Sequence, residues 1–424
     1  MRLLYSLLWW VGLPLVLMRL WWRGRKEPGY RRHIGERLGF YRDAAPAPGN
    51  QLIWLHAVSV GETRAAEPLI AALLDVYPDR SLLMTHMTPT GRATGRELYG
   101  HYGDRFHQVY LPYDTGWMVK RFLTHFAPRL CILMETEVWP NLIAQCNARH
   151  VPVALVNARL SARSLARAGR FGGLLQKAAQ GIACIAAQTE ADAQRLRQAG
   201  ANSVEVTGNI KFDVSPTPAM LDAGAAMHGR FGKRPVLLCA STREGEEAMI
   251  LDALVQTEAP LGEALLVIVP RHPQRFDDVA REIEARGLAY RRRSSLGYEV
   301  PPEVQVVLGD SMGEMFAYYV AADLAFIGGS LTPLGGQNLI EACAVGTPVL
   351  IGPHTFNFSA VSEDAITDGA AIRVDSAAAM LQQSAALLAD GDARKAMGMR
   401  AREYALQHRG ATARTVWLLA PLLG

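Results

Sequence analysis

Three patches in the first half of the sequence combine residue types suited to group transfer. Glu62 ends the run His56-Ala-Val-Ser-Val-Gly-Glu62, between an apolar strand pattern closing at His56 and a helical pattern opening near Arg64. Ser59 and Gly61 suit a turn whose backbone N–H groups face a ligand. A carboxylate at the mouth of that helix serves either as a general base or as a partner of the helix dipole. Glu135 and Glu137 follow an apolar run that begins at Leu130. Two acids one residue apart point to opposite faces while a strand continues, so one is expected to enter a site and the other to stay structural. A buried carboxylate needs partners, and Arg159 and Arg163, after the next strand pattern, are candidates. Lys211, in the run Thr207 to Asp213, would either neutralise an anionic ligand or developing charge or lie on the surface.

In the second half the signals fit a nucleotide. Pro270 and Arg271 close an apolar strand pattern and put an obligate cation at its carboxyl end, suited to phosphate or carboxylate. Ser241 and Glu244 have capping-box spacing, a structural signal. Met312, Gly313 and Glu314 belong to a turn that starts at Asp310, and Gly328-Gly329-Ser330 forms another. The pair Gly335-Gly336 leads through Asn338, Leu339 and Ile340 to Glu341 at a helix start. Helix N-termini suit phosphate, and an acid one turn later suits ribose hydroxyls. No G-x-G-x-x-G follows the first strand pattern and no G-x-x-x-x-G-K-[ST] occurs, so nicotinamide and P-loop chemistries lose support. The five cysteines lack C-x-x-C spacing and the eleven histidines lack H-E-x-x-H, so buried thiols are expected and neither metal nor cofactor is implied.

Positioning these residues requires a regular scaffold. Short apolar, β-rich runs alternate with amphipathic stretches: seven from Gln51–His56 to Val204–Thr207, and six from Val236–Ala240 to Ala371–Val374. That alternation predicts an α/β fold with two parallel, doubly wound sheets. The two prolines of residues 213–218 mark the linker between them. The organisation expected is an anchor at 1–24, a first domain at 25–214 and a second at 215–424. Ligands in such sheets bind beyond the carboxyl ends of the strands, where all the patches above fall, around a common cleft.

The charge is unevenly placed. Residues 1–42 hold nine basic side chains and two acids, a balance of +7, whereas the remaining 382 residues carry 35 basic and 38 acidic groups, or −3. A surface built for nucleic acid needs cations over a wider footprint, so no nucleic-acid partner is expected. The basic residues flank an apolar stretch from Leu3 to Trp22, whose twenty residues reach roughly 30 Å as a helix, the thickness of a bilayer core. No small-residue cleavage site follows, which disfavours a signal peptide. The stretch spans the bilayer or lies flat in its interface, since Pro14 and Arg19 weaken a full span. In either case Arg23-Gly-Arg-Lys26 would face anionic lipid, and the residues after 22 would be cytoplasmic by the positive-inside bias.

In motif after motif the chain resembles the Kdo transferases of Gram-negative lipopolysaccharide synthesis. The likeness runs through Gly35–Tyr41, His56–Glu62, Met87–Gly91, Tyr110–Asp114, Glu135–Asn141, Asn157–Arg163, Pro270–Pro273, Gly309–Glu314 and Gly352–Phe358. The resemblance implies a two-domain GT-B fold and a metal-independent, inverting transfer of 3-deoxy-D-manno-octulosonic acid (Kdo) from CMP-Kdo to the lipid A precursor, lipid IVA, at the inner membrane. It implies Glu62 as general base, Glu135 and Lys211 as transition-state partners, and CMP contacts from Pro270, Arg271, Met312, Gly313, Glu314 and Asn338 through Glu341. The chain departs from the usual Asn-Pro-Leu-Glu at Asn338-Leu-Ile-Glu341, which should loosen that helix start. The competing readings are a GT-B nucleotide-sugar 2-epimerase, which needs no lipid, and a non-catalytic membrane-tethered nucleotide-sugar binding protein.

Overall fold

The computed structural model describes residues 1–41, 51–168, 173–256 and 261–424. Arg42, counted above among the basic residues, lies outside them. The chain divides into two compact units, the first made of 1–213 with 409–424 and the second of 214–408.

The first unit is built on a seven-stranded parallel sheet. Its strands are β1 (Gln51–His56), β2 (Arg80–His86), β3 (Phe106–Tyr110), β4 (Leu130–Met134), β5 (Val153–Ala158), β6 (Cys184–Ala187) and β7 (Val204–Val206), in the order β3-β2-β1-β4-β5-β6-β7. Alternate residues serve opposite faces, so Leu52 and Trp54 enter one core with Phe122 and Leu133, while Ile53 and Leu55 enter another with Leu69 and Met84. Both faces are covered, which is why the strands read as continuous apolar runs. The order reverses between β1 and β4, and that switch point opens a crevice beyond their carboxyl ends.

The second unit repeats the plan with β8 (Val236–Thr242), β9 (Leu265–Pro270), β10 (Tyr290–Arg292), β11 (Val306–Leu308), β12 (Leu324–Ile327), β13 (Val349–Ile351) and β14 (Ala371–Arg373). Their order is β10-β11-β9-β8-β12-β13-β14, with its own reversal between β8 and β12. β10 has no counterpart among the expected strands. It is an edge strand of sequence Tyr-Arg-Arg, so it lacks the apolar run that marks its neighbours.

One further difference concerns the carboxyl terminus, expected in the second domain. The helix Ala411–Leu423 instead packs Ala411, Leu419 and Leu423 into the core of the first unit. Arg414 Nε donates to Thr207 O at 2.7 Å and Arg80 donates to Leu423 O at 2.5 Å. Asp213, where the chain leaves the first unit, accepts from Gly410 N at 2.6 Å and also from Thr412 N, capping the returning helix. All five cysteines are free and buried.

Asp213 therefore secures the return of the chain. Asp213→Ala should cost about 1–2 kcal/mol, the value of a charged cap, read as a lower denaturation midpoint for the first unit.

Candidate active site

Glu62 sits in the first turn of the short helix Val60–Ala65, which begins immediately beyond β1 rather than near Arg64 as expected. Ser59 Oγ accepts from Glu62 N at 3.3 Å, and a Glu62 carboxylate oxygen accepts from Val58 N at 2.6 Å. This exchange resembles a capping box and fixes the side chain in place. Burial pushes the Glu62 carboxyl up to about 7, opposed by the Val58 N–H and reinforced by the charges of Glu135 and Glu137. A carboxyl tuned to that value is half ionised near neutral pH, where a general base is most effective. The turn beneath it rests on His56, fully buried, whose Nδ1 lies 3.1 Å from Thr85 O and 2.9 Å from Thr85 Oγ1. Burial lowers the His56 pKa to about 4, so this ring is neutral scaffold.

Glu135 follows β4, across the switch point from Glu62. It is only 5 % exposed, and its carboxylate is clamped between Lys211 Nζ at 2.9 Å and Arg159 at 3.1 Å. Its backbone holds φ at +55°, a conformation that β-carbon residues rarely adopt, which ends the strand and turns the chain. The alternation expected for Glu135 and Glu137 therefore fails. Both carboxylates raise the pKa of Glu62, and Glu137, half-buried and bonded to Trp139 Nε1 at 2.7 Å, is itself raised mainly by burial. Of the two candidate arginines the ion pair selects Arg159, while Arg163 is exposed on the helix Ala162–Ala168.

Lys211 is not a surface lysine. Its segment is held by two asparagine side chains: Asn157 Oδ1 accepts from Ile210 N at 3.2 Å and Asn209 Oδ1 from Lys211 N at 3.0 Å. Asn157 is fully buried at φ +52°, and nothing in its sequence surroundings singled out this supporting task. Glu62, Glu135 and Lys211 thus come together from the ends of β1, β4 and β7.

In the second unit the organising group is one that the sequence patterns did not flag. Glu246, fully buried, accepts from four backbone N–H groups: Arg243 and Ser330 and Leu331, each at 2.9 Å, and Gly329. It stitches the loop after β8 to the loop after β12 across the second switch point. The capping box expected from Ser241 to Glu244 is absent, because Ser241 adopts φ +55° and the reciprocal bond runs from Arg243 to Glu246. Gly328 is obligatory beneath this loop, since a β-carbon there would meet Ser241 O at 2.5 Å and Thr242 Cα at 2.6 Å.

The expected nucleotide contacts fall on neighbouring strand ends of this sheet. Pro270 closes β9, and Arg271 N donates to Thr242 O at 2.9 Å. Arg271 and Arg243 both lower the pKa of His272, after burial, which marks a cluster of cations at the ends of β8 and β9. Beyond β11, Met312 is exposed, Gly313 turns at φ +79°, and Glu314 pairs with Arg293 at 3.0 Å. Asn338 secures the helix start that the missing proline would have favoured: its Oδ1 accepts from Ile340 N at 3.0 Å and its Nδ2 donates to Glu341 at 3.1 Å. The helix start is therefore pinned, where the sequence suggested loosening. Leu339 and Ile340 are fully buried, backbone included, whereas Asn338 and Glu341 are half-buried. Gly336 N and Gln337 N are spent on the carbonyls of Gly329 and Gly328, at 2.7 and 3.0 Å, and are not available to phosphate.

Two doubly wound parallel sheets, each with polar loops at its switch point, define the GT-B fold. Residues 262–404 match the model of glycosyl transferases group 1. A glycosyltransferase from Rickettsia africae shares the fold at TM-score 0.59 and 11 % identity over 89 % of this chain and 99 % of that one. UDP-GlcNAc 2-epimerase from Neisseria meningitidis does so at TM-score 0.58 and 16 % identity over 87 % and 100 %. Residues 32–214 match the family model 3-deoxy-D-manno-octulosonic-acid transferase (kdotransferase). The chain is 48 % identical over 417 residues to the 3-deoxy-D-manno-octulosonic acid transferase of Bordetella pertussis, covering 97 % of both. To that of Haemophilus influenzae it is 38 % identical over 427 residues, covering 100 % of this chain and 99 % of the other. The chain belongs to the 3-deoxy-D-manno-octulosonic acid transferase family.

The clamp on Glu135 is asymmetric, because the Lys211 side chain is 21 % exposed and that of Arg159 45 %. Lys211→Met should destabilise by about 1–3 kcal/mol through the stranded carboxylate, whereas Arg159→Ala should cost under about 1 kcal/mol. Urea midpoints of the two variants would check the order.

Proposed function

We propose that the protein transfers Kdo from CMP-Kdo to the lipid A precursor lipid IVA in lipopolysaccharide synthesis, at the cytoplasmic face of the inner membrane, with inversion and without a metal. The observation that carries the reading is the pairing at the first switch point: a carboxyl tuned to about 7 beside a buried carboxylate already neutralised by two cations.

Each group then has a task. Glu62 takes the proton of an acceptor sugar hydroxyl as that oxygen attacks the anomeric carbon of Kdo. The bond from that carbon to the phosphate oxygen breaks, and CMP departs. Positive charge develops on the sugar ring, which Glu135 stabilises directly or through the placement of Lys211. The donor belongs to the second unit, where the cations at the ends of β8 and β9, with Arg271 foremost, meet the phosphate. Pro270, Met312, Gly313, Glu314 and Asn338–Glu341 contribute the remaining contacts to CMP, the last stretch through the Asn338 and Glu341 side chains that flank the buried Leu339 and Ile340. Among the described residues no group of His, Cys, Asp and Glu is arranged to hold a metal ion. The N-terminal helix Arg2–Arg23 is long and apolar enough to reach across a membrane and keeps the enzyme with its lipid acceptor.

Incubation of the purified protein with CMP-Kdo and lipid IVA, followed by mass analysis of the lipid, should show Kdo addition and count the units added. Turnover of a UDP-sugar without such a product would favour the epimerase. Glu62→Gln should fold and bind CMP yet transfer at least ~100-fold more slowly, the low end for loss of a general base. Wild-type transfer should rise with pH through about 7, as Glu62 ionises, and the variant should lack this limb. Because burial raises the folded-state pKa, the fold loses stability as pH rises from the ordinary carboxyl range to about 7 and stays weakened above it, so the variant should be no less stable at pH 8. Near-normal transfer by Glu62→Gln would remove the base assignment and admit the non-catalytic reading.

A further inference from the structure

The helix Arg2–Arg23 is apolar all round, but its two sides have different fates. Tyr5, Ser6, Trp9, Leu13, Val16, Leu17 and Leu20 are buried or half-buried, a stripe at helical spacing that runs the length of the helix. Every turn of that stripe meets the folded domain. Ser6 exchanges hydrogen bonds with Asn141 at 3.0 and 3.3 Å, and Tyr5 lies beside the buried Asp114 carboxylate, whose charge, after burial, raises the phenol's pKa. Trp9 stacks on Tyr113 with ring centroids 5.6 Å apart, and Leu13 and Leu20 pack with Tyr30 and Met118. At the far end Arg31 donates to Trp21 O at 2.9 and 3.0 Å.

The opposite side is uncovered. Leu4, Leu7, Leu8, Val11, Leu15, Met18 and Trp22 are 57–69 % exposed. This apolar row continues onto the domain body, where Trp10 lies against Trp117, Trp117 against Phe40, and Arg121 covers Phe40 and Trp117 at 4.5 and 5.0 Å. Phe40 and Trp117 are 48 % and 45 % exposed. Arg19, Arg23, Arg25, Lys26, Arg31 and Arg32 are exposed around the row. Arg37 is not part of this collar, because it is 1 % exposed, donates to Met87 O and lies over the Tyr110 ring.

A helix that crosses a bilayer has lipid or other membrane-embedded protein on every side. Here the inward stripe is occupied by a domain whose contacts include a buried carboxylate and an asparagine, and carrying these into hydrocarbon would cost several kcal/mol each. We propose that the helix lies in the plane of the membrane interface, and that Phe40, Trp117 and Arg121 join its outward face in one docking surface for anionic lipid. This rests on the membrane reading above. It also supplies a geometry for the reaction, because Tyr113, Asp114 and Asn141 stand beyond the carboxyl ends of β3 and β4. The loop that begins at Glu135 leads into the helix Pro140–Asn147, whose Asn141 holds Ser6. An acceptor whose acyl chains stay in the interface thereby meets the first unit at its catalytic edge.

Leu4, Val11 and Met18 share one outward face at seven-residue spacing, and the native cysteines are buried, so each position accepts a single spin label as a cysteine variant of the full chain. In vesicles of phosphatidylethanolamine and phosphatidylglycerol, power-saturation depths should be alike at the three positions and confined to one leaflet. A deep Val11 with Leu4 and Met18 near opposite surfaces would overturn the proposal. The double variant Phe40→Ser, Trp117→Ser should lower the vesicle partition coefficient about tenfold or more, from two aromatic side chains withdrawn from lipid. It should keep wild-type transfer on detergent-dispersed acceptor. Unchanged partitioning, or a lipid-free dimer that the double variant dissolves, would show that lipid is not the occupant. Absence of transfer by the wild-type enzyme would count against the catalytic reading and leave the depth profile to decide this one.

Discussion

A carboxylate removed from water must be answered by donors or cations, and that constraint organises both switch points. Glu246 is met by four backbone N–H groups, which hold its loops together. Glu135 is met by two cations, and the consequence differs. Four N–H groups create a rigid loop junction. An ion pair with Lys211 creates a group whose charge is balanced by side chains and not by the loop backbone. Glu62 is the third case, only partly answered by the Val58 N–H, and its raised pKa measures the deficit. The same physics thus yields a scaffold at Glu246 and, in the proposed mechanism, an electrostatic partner at Glu135 and a base at Glu62, according to how completely each carboxylate is satisfied.

The sheets explain why these carboxylates are where they are. With every strand parallel, all carboxyl ends lie on one edge of each sheet, and reversal of the strand order separates two successive loops there. Glu62 and Glu135 stand on either side of the reversal in the first unit, and Arg243–Glu246 and Gly328–Leu331 do so in the second. The capping of the last helix by Asp213 adds that the exit from the first unit and the return to it share one anchoring residue.

Most strands were legible because a strand covered on both faces must be apolar along its length, and Gln51–His56, Leu130–Met134 and Leu324–Ile327 have the limits read from the sequence. β10 was not, because an edge strand of Tyr-Arg-Arg needs no such run. Glu62, Glu135 and Lys211 could each be singled out by residue type at a strand end. Their joining could not, since it depends on Glu135 leaving the strand at positive φ and on Asn157 and Asn209 fixing the lysine segment.

The sequence by itself determined the two parallel sheets, the motifs at their carboxyl edges, the family and the existence of an apolar, basic-flanked N-terminal helix. These follow from periodicity, residue type and order along the chain. Tertiary structure decided which arginine answers Glu135, which carboxylate stitches the second unit, and that the last helix returns to the first. It also decided which side of the N-terminal helix is covered. A helix apolar all round carries no amphipathic signal of its own, so only the positions of Tyr113, Asp114 and Asn141 distinguish the face that meets protein from the face left uncovered.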